Sequence, residues 1–360
     1  MGLPIPPLLD SQKPEENLPE LQETAPETKQ KRSSELYIGP RITEGNAQRL
    51  HFIGKFPGAD VEACSIIRDR QDAPGTLPTI KGTDKVLRKL HTLGVIGRAA
   101  NPDTKRSVYS LTGSGRMSAE SFGHTVPGSA TLNKTSPRRA SHYQMIAHVA
   151  AQFASPAGFF RDKLGIEPVG IEGVISEHEM RIAYEMVAKK LKERKERGES
   201  GDFGKWRTGA MAAAIDAVSR GRVDWPDITA ALPGLLTLGE PLVDEMVTKA
   251  VHQPDLAVIL DGARNDPKAK NLLVEIELNP KSWDAYEQIL RTYRAELDRG
   301  FVYSRVVYFT IGNRVETLLR KVDRRATTGL FETGQLVVLP LTHRDNTPVR
   351  FEKRITIQEN

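Results

Sequence analysis

Asp255, Glu275, Glu277 and Lys281 all fall in one stretch, "HQPDLAVILDGARNDPKAKNLLVEIELNPKSWDAYEQIL", from His252 to Leu290. Glu275 and Glu277 are two residues apart in an apolar segment, so on a strand they project from the same face. Asp255 opens the apolar segment before it. If the two strands are neighbours, three carboxylates converge beside Lys281. Hard oxygen ligands grouped in this way suit Mg²⁺ or Mn²⁺, ions that activate water and stabilise charge on phosphate. That chemistry is phosphodiester hydrolysis, with Asp255, Glu275 and Glu277 as metal ligands and Lys281 in the first turn of the helix beside them. The competing reading is a strand at a sheet edge with exposed or ion-paired glutamates, because an unpaired buried carboxylate costs several kcal/mol.

The elements that must position these groups are legible as hydrophobic patterns. Apolar runs predict strands over Asp255–Leu260 and Leu272–Leu278, and Asn279-Pro280 has the N-cap and first-position chemistry that opens a helix. Along that helix Trp283, Tyr286, Leu290, Tyr293 and Leu297 recur every three or four residues. Tyr286 and Tyr293 are expected in its core, though either could wall the acidic site. A strand in "SRVVYFTIG", a helix in "NRVETLLRKVDRR" and a strand in "QLVVLPLTH" follow. Upstream, "SHYQMIAHVAAQFA" and "SEHEMRIAYEMVAKKLKERKERG" have helical spacing, the second stopping at Gly198.

Charge divides the chain unevenly. Net formal charge is −3 over residues 1–40, +8 over 41–140 and 0 over 141–360, within a total of +5. A basic block of this kind is the electrostatic footprint of a nucleic-acid-binding module. In "TIKGTDKVLRKLHTLGVIGRAANPDTKRSVYSLTGSG", Val86, Leu87, Leu90 and Leu93 form an apolar helical stripe with Lys81, Thr83, Lys85, Arg88 and Lys89 off it. Gly94 supplies the helix stop. Val95–Arg98 and Ser107–Leu111 then pair as a hairpin whose tip carries Lys105 and Arg106. With helices expected around Asn46–Phe56 and Asp60–Arg68, the order of features resembles winged helix-turn-helix domains. In that geometry Lys81, Thr83, Lys85, Arg88 and Lys89 face duplex DNA, and Lys105 and Arg106 sit on the wing. The same cations also fit a solvated helix face, and winged helices serve as protein-binding modules too.

The remaining composition bounds the class. No run approaches the ~18 apolar residues of a membrane helix. The opening "MGLPIPPLLD" does not read as a signal peptide, and Pro6 stands where a myristoylation signal needs Ser or Thr. The single cysteine, Cys64, offers neither an internal disulfide nor a zinc knuckle. These features point to a reducing, cytoplasmic setting without membrane insertion. His178-Glu179 lacks the second histidine of a zinc-protease helix, since Ile182 occupies that position. "LTGSG" lacks the lysine of a phosphate loop, and His142 and His148 are six apart, off a shared helical face. The chain is expected to comprise a low-hydrophobicity arm (1–40), a basic module (41–122), a Gly/Ser/Thr/Pro linker (123–140), a second domain (141–345) with an insertion at about 190–248, and a tail (346–360).

Pro254-Asp255 and Glu275, on consecutive strands followed by a helix and a strand, resemble the PD-(D/E)xK nuclease fold. That resemblance implies an α+β or α/β architecture with a mixed central sheet flanked by helices. It also implies a Mg²⁺ or Mn²⁺ site on Asp255, Glu275 and Glu277. Here Glu277 occupies the position where that family carries lysine, and Lys281 would substitute from the adjoining helix. From about Gly45 to Leu339 the combination of winged helix and "HQPDLAVIL…LLVEIELNPKSW" is similar to the actinobacterial replication-relaxation protein family, which is associated with plasmids and other mobile elements. Membership would imply a double-stranded DNA partner, and a homodimer or a place in a larger DNA-processing assembly. It leaves two functions open: metal-dependent cleavage, or regulation of replication, transfer or transcription with the nuclease fold as scaffold.

Overall fold

The computed structural model describes residues 42–67, 79–127, 132, 136–155, 161–198, 201–224, 227–228, 231–238, 254–260, 271–300 and 302–350. The arm at 1–40, residues 128–131 and 133–135 of the 123–140 segment, and the last ten residues lie outside that set.

Helix α1 (Glu44–Lys55) buries Leu50, Phe52 and Ile53 and leads through Gly58 into strand β1 (Ala59–Asp60). Gly58 has φ +101°, and a Cβ there would meet the Tyr143 side chain at 2.8 Å, so only glycine fits this turn. Helices α2 (Val61–Ile67) and α3 (Ile80–Thr92) follow, then strands β2 (Ile96–Ala100) and β3 (Ser107–Leu111) and helix α4 (Gly113–Glu120). The three strands form an antiparallel sheet in the order β1-β3-β2, with Ala59 opposite Tyr109 and Ile96 opposite Leu111. Gly94 at φ +72° ends α3, as its position after the apolar stripe requires.

Helix α5 (Pro137–Ala154) begins at an N-cap, Ser136, whose hydroxyl accepts from Arg139 N, with proline in the first turn. It packs against α2 and β1 on one side and the second sheet on the other. Helix α6 (Arg161–Leu164), strand β4 (Val174–Ser176), helix α7 (Glu177–Glu196) and helix α8 (Phe203–Ser219) come next. Strands β5 (Leu256–Val258) and β6 (Asn271–Glu277), helix α9 (Trp283–Arg299), strand β7 (Tyr303–Thr310), helix α10 (Arg314–Ala326) and strand β8 (Leu336–Pro340) complete the described elements. The five strands run β4-β5-β6-β7-β8. The pairs β4/β5 and β5/β6 are antiparallel, and β6/β7 and β7/β8 are parallel.

The sheet is covered on both faces. Leu256, Val258, Leu272, Val274, Ile276, Val307 and Phe309 belong to a core that continues through Met145, Ile146 and Val149 of α5 into Leu50, Phe52 and Leu87 of the N-terminal elements. Ala257, Leu273, Val306 and Tyr308 pack on the opposite face with Met180, Val187, Tyr286, Tyr293 and Leu319. The architecture is therefore mixed α+β, with one small antiparallel sheet and one mixed sheet.

Two expectations change. Strand β6 is the middle of five rather than an edge, and all seven of its residues are buried, so the exposed edge-strand reading of Glu275 and Glu277 is overturned. The helix after β6 is opened by Ser282, whose hydroxyl accepts from Ala285 N at 3.3 Å, not by Asn279-Pro280. A serine cap suits the turn that carries Lys281 past the end of the strand.

Candidate functional site

The acidic residues occupy one end of the mixed sheet. Asp255, Glu275 and Glu277 are 7%, 6% and 7% exposed. Leu256 lies opposite Val274, so Asp255, just before β5, stands beside Glu275 near the C-terminal end of β6. Each carboxylate is held by a different part of the fold.

Asp255 Oδ2 accepts from the Ile276 backbone N at 2.7 Å and lies 3.2 Å from His142 Nε2, while its carbonyl accepts from Glu177 N at 3.1 Å. Side chain and carbonyl of Asp255 together therefore tie the start of β5 to β6, α5 and the first turn of α7. Burial alone would lower the His142 pKa, but the Asp255 carboxylate, the Ile276 carbonyl at 2.9 Å and Glu177 raise it to about 9. Glu177 is pushed up by its own burial and by Asp255.

Glu275 points to the α9 side, where Tyr293 donates its hydroxyl to Oε1 at 2.9 Å and Tyr308 stands 3.3 Å further on. Burial and the Glu275 charge hold both phenols well above their usual pKa, so they remain donors. Glu277 is ion-paired with Lys281, whose backbone N donates to Tyr286 Oη at 3.2 Å. Burial raises the Glu277 pKa, Lys281 partly offsets this, and Glu275 and Asp255 add to it. Tyr286 and Tyr293 are thus both core residues and walls of the acidic site.

The chemistry of this donor set is that of a hard cation: three carboxylates are buried at one end of the sheet, and burial first, then the Glu275 and Asp255 charges, raise the Glu277 pKa. The set is not assembled as a finished cage, because the three carboxylates face different partners. Among the described residues, the trio of possible metal ligands whose donor atoms all lie within 4.8 Å of one another is His51, His124 and Glu172 instead.

The basic face is built on α3. Thr79 caps it, its hydroxyl accepting from Gly82 N at 3.1 Å, and Thr83, Leu87 and Leu90 are buried against the module. Lys81, Lys85, Arg88 and Lys89 are exposed on the other side. Arg88 pairs with Asp84 at 2.8 Å on the same helix, which leaves the lysines to set the local potential. Lys105 is exposed in the turn of the β2–β3 hairpin at φ 57°.

Two members of the expected DNA-binding set are placed elsewhere. Thr83 is 1% exposed, so it faces the core and not a groove of DNA; with Leu87 and Leu90 it makes the i, i+4, i+7 repeat of the buried face. Arg106 turns back onto the body, ion-paired with Glu62 and 3.3 Å from Asp60, where Glu62 also accepts from Arg344 N at 2.7 Å. It belongs to the seam with the C-terminal segment, although its neighbour Lys105 stays on the hairpin turn.

Sequence reasoning passed over His142 and Glu177. Neither carries a local signal: His142 continues the face of α5 that holds Met145, Ile146 and Val149, and only the tertiary fold brings it to Asp255. The fold and site define a mixed α+β protein with an exposed basic helix and a buried acidic centre, and no described helix is long and apolar enough to cross a membrane. The chain matches no protein-family model, no curated protein and no solved structure.

Proposed function

We propose that the chain is a double-stranded DNA-binding protein in which residues 42–122 act as a winged helix and the mixed sheet forms a PD-(D/E)xK-like domain. The observation that carries the reading is the α3 surface, where Lys81, Lys85, Arg88 and Lys89 lie exposed opposite the buried Thr83, Leu87 and Leu90. The order α1-β1-α2-α3-β2-β3 with sheet order β1-β3-β2 supports it, since that order presents α3 and the hairpin for groove and backbone contact. In this role the α3 cations neutralise phosphates and Lys105 meets the backbone beside the groove. The resemblance to the replication-relaxation family would put the target on a plasmid or other mobile element.

In the second domain Asp255, Glu275 and Glu277 would hold Mg²⁺ or Mn²⁺, which supplies activated water and charge stabilisation for phosphodiester hydrolysis. Lys281 keeps a cation at the end of β6, in place of the lysine that Glu277 displaces. His142 fixes the Asp255 carboxylate on the Ile276 amide.

A second reading, a regulator that binds DNA without cutting it, is favoured by the partners the carboxylates already have in Tyr293, His142, Ile276 and Lys281. One experiment addresses both levels. Anisotropy of a labelled duplex against salt, on wild type and on Lys81→Ala/Lys85→Ala/Lys89→Ala, should show weaker binding and a log K against log[salt] slope smaller by roughly 2–3 for three lost phosphate contacts. An unchanged slope and affinity would sink the DNA-binding reading. Plasmid cleavage with Mg²⁺ that disappears in Glu275→Ala/Glu277→Ala selects the nuclease; binding without cleavage selects the regulator.

A further inference from the structure

His51, His124 and Glu172 come from three separated parts of the chain and meet away from the acidic centre. His51 is on α1, His124 follows α4 and Glu172 is in the turn before β4. One donor atom from each lies within 4.8 Å of the other two. The two imidazoles stack with centroids 4.8 Å apart and planes 17° from parallel, and His51 Nδ1 is 3.5 Å from Glu172 Oε1.

The fold leaves this cluster underused. His51 is 1% exposed, and its Nε2 is buried with no hydrogen-bond partner. A buried imidazole nitrogen without a partner ordinarily costs stability, so its retention asks for another interaction. Glu172 is 75% exposed and reaches in from solvent, so it can adjust its position, and His124 is half-buried.

We propose that His51, His124 and Glu172 form a binding site for a borderline transition-metal ion of the Zn²⁺ class, bridging the N-terminal module and the mixed-sheet domain. Two imidazoles and one carboxylate are the donors Zn²⁺ takes in three-ligand sites, with a fourth position for water, whereas Mg²⁺ prefers an all-oxygen set. A tetrahedral Zn²⁺ holds its donors roughly 3.4 Å apart, so the trio closes on the ion when Glu172 moves in and the His124 ring turns out of its stack on His51 to aim its lone pair at the same point. Lys55, 3.8 Å from Glu172 and 3.3 Å from Glu179, neutralises both carboxylates without the ion. With the ion seated, Glu172 changes partner and Lys55 keeps Glu179. The ion then ties α1 and the segment after α4 to the turn that enters β4. This site is independent of the DNA-binding reading.

The test uses the full-length, tag-free chain stripped with chelator, and reads Zn²⁺ affinity by competition against a chromophoric chelator and Co²⁺ binding by its visible absorption. The expected result is one equivalent of Zn²⁺ or Co²⁺, not displaced by excess Mg²⁺. His124→Ala and Glu172→Gln, both at solvent-facing positions, should each weaken Zn²⁺ by more than about tenfold, since loss of a direct ligand exceeds the usual penalty for losing an outer-shell partner. Glu277→Gln, at the acidic centre, should bind Zn²⁺ as wild type does. A wild type that takes up no Zn²⁺, wild-type affinity in either ligand variant, or loss of binding in Glu277→Gln would each overturn the site.

Discussion

His142 Nε2 stands 3.2 Å from Asp255 Oδ2, and the same nitrogen is 2.9 Å from the Ile276 carbonyl whose amide Asp255 accepts. Imidazole, carboxylate and the backbone of one β6 residue, Ile276, therefore form a closed arrangement that locks α5 onto the acidic end of the sheet. Any chemistry at Asp255 depends on a residue 113 positions upstream.

The charge on His142 gives this contact a pH signature. The folded pKa is about 9 against an ordinary 6.5, so protonation favours the native state. The contribution is fully present below about pH 6.5 and is lost as pH rises through 9. The melting temperature of wild type relative to His142→Asn should fall over that window and be flat below it. A difference that is constant from pH 6 to 9.5 would show that His142 does not carry the charge.

Tyr293 makes the second contact of the acidic centre. Tyr293→Phe removes the hydroxyl that donates to Glu275 Oε1 and leaves a buried carboxylate short of a donor. The expected loss is roughly 1–3 kcal/mol by urea denaturation. Stability equal to wild type would mean that the hydroxyl serves packing alone.

The element order was readable from the sequence because apolar periodicity survives in α3, β6, α9 and α10. The exposed face of α3 was equally legible, since Lys81, Lys85, Arg88 and Lys89 are local to one helix. The two misplacements have physical causes. Thr83 looks polar by type, yet it lies at the helical repeat of Leu87 and Leu90, so register outweighs its hydroxyl. Arg106 looks like a hairpin-tip cation, but Asp60 and Glu62 on neighbouring elements hold it, and such an ion pair has no signature along the chain. The central position of β6 and the arrival of His142 and Glu177 at Asp255 are likewise products of sheet order, which short-range pattern does not encode.

Thr83 supplies a direct check on that register argument. Its hydroxyl is buried without a hydrogen-bond partner, so Thr83→Val exchanges an unsatisfied polar group for a methyl of similar shape. Stability should rise by roughly 1 kcal/mol, with duplex affinity unchanged. A loss of DNA affinity without a change in stability would return Thr83 to the DNA-facing surface.

The Arg207–Glu296 pair joins α8 to α9 deep in the second core. Its two nitrogen–oxygen contacts are 3.0 and 2.7 Å, and Arg207 Nε also donates to the Leu235 carbonyl at 3.0 Å. Arg207→Leu leaves the buried Glu296 carboxylate with only the partly exposed Arg299, 3.1 Å away, as a cation partner among the described residues. The cost should be roughly 3–5 kcal/mol, and the double variant Arg207→Leu/Glu296→Leu should recover much of it. A double variant as unstable as the single one would mean that the bond to Leu235, not the ion pair, anchors α8.

Lys281 and Glu277 decide how the acidic centre can work. Lys281 neutralises Glu277, so a divalent cation must compete with an ammonium already in place. Replacing Lys281 with Met keeps most of the side chain's length and removes that competitor, leaving Glu277 with a raised pKa caused by burial and by Glu275 and Asp255. If the carboxylates bind Mg²⁺, Lys281→Met should tighten Mg²⁺ measurably by calorimetry, while any DNA cleavage falls because the cation at the end of β6 is lost. If the centre is a structural ion pair, Mg²⁺ binds neither protein, and Lys281→Met is simply less stable, with its deficit shrinking as pH falls and Glu277 takes up a proton. Tighter Mg²⁺ together with unchanged cleavage would assign the lysine to holding the site closed and remove it from the chemistry.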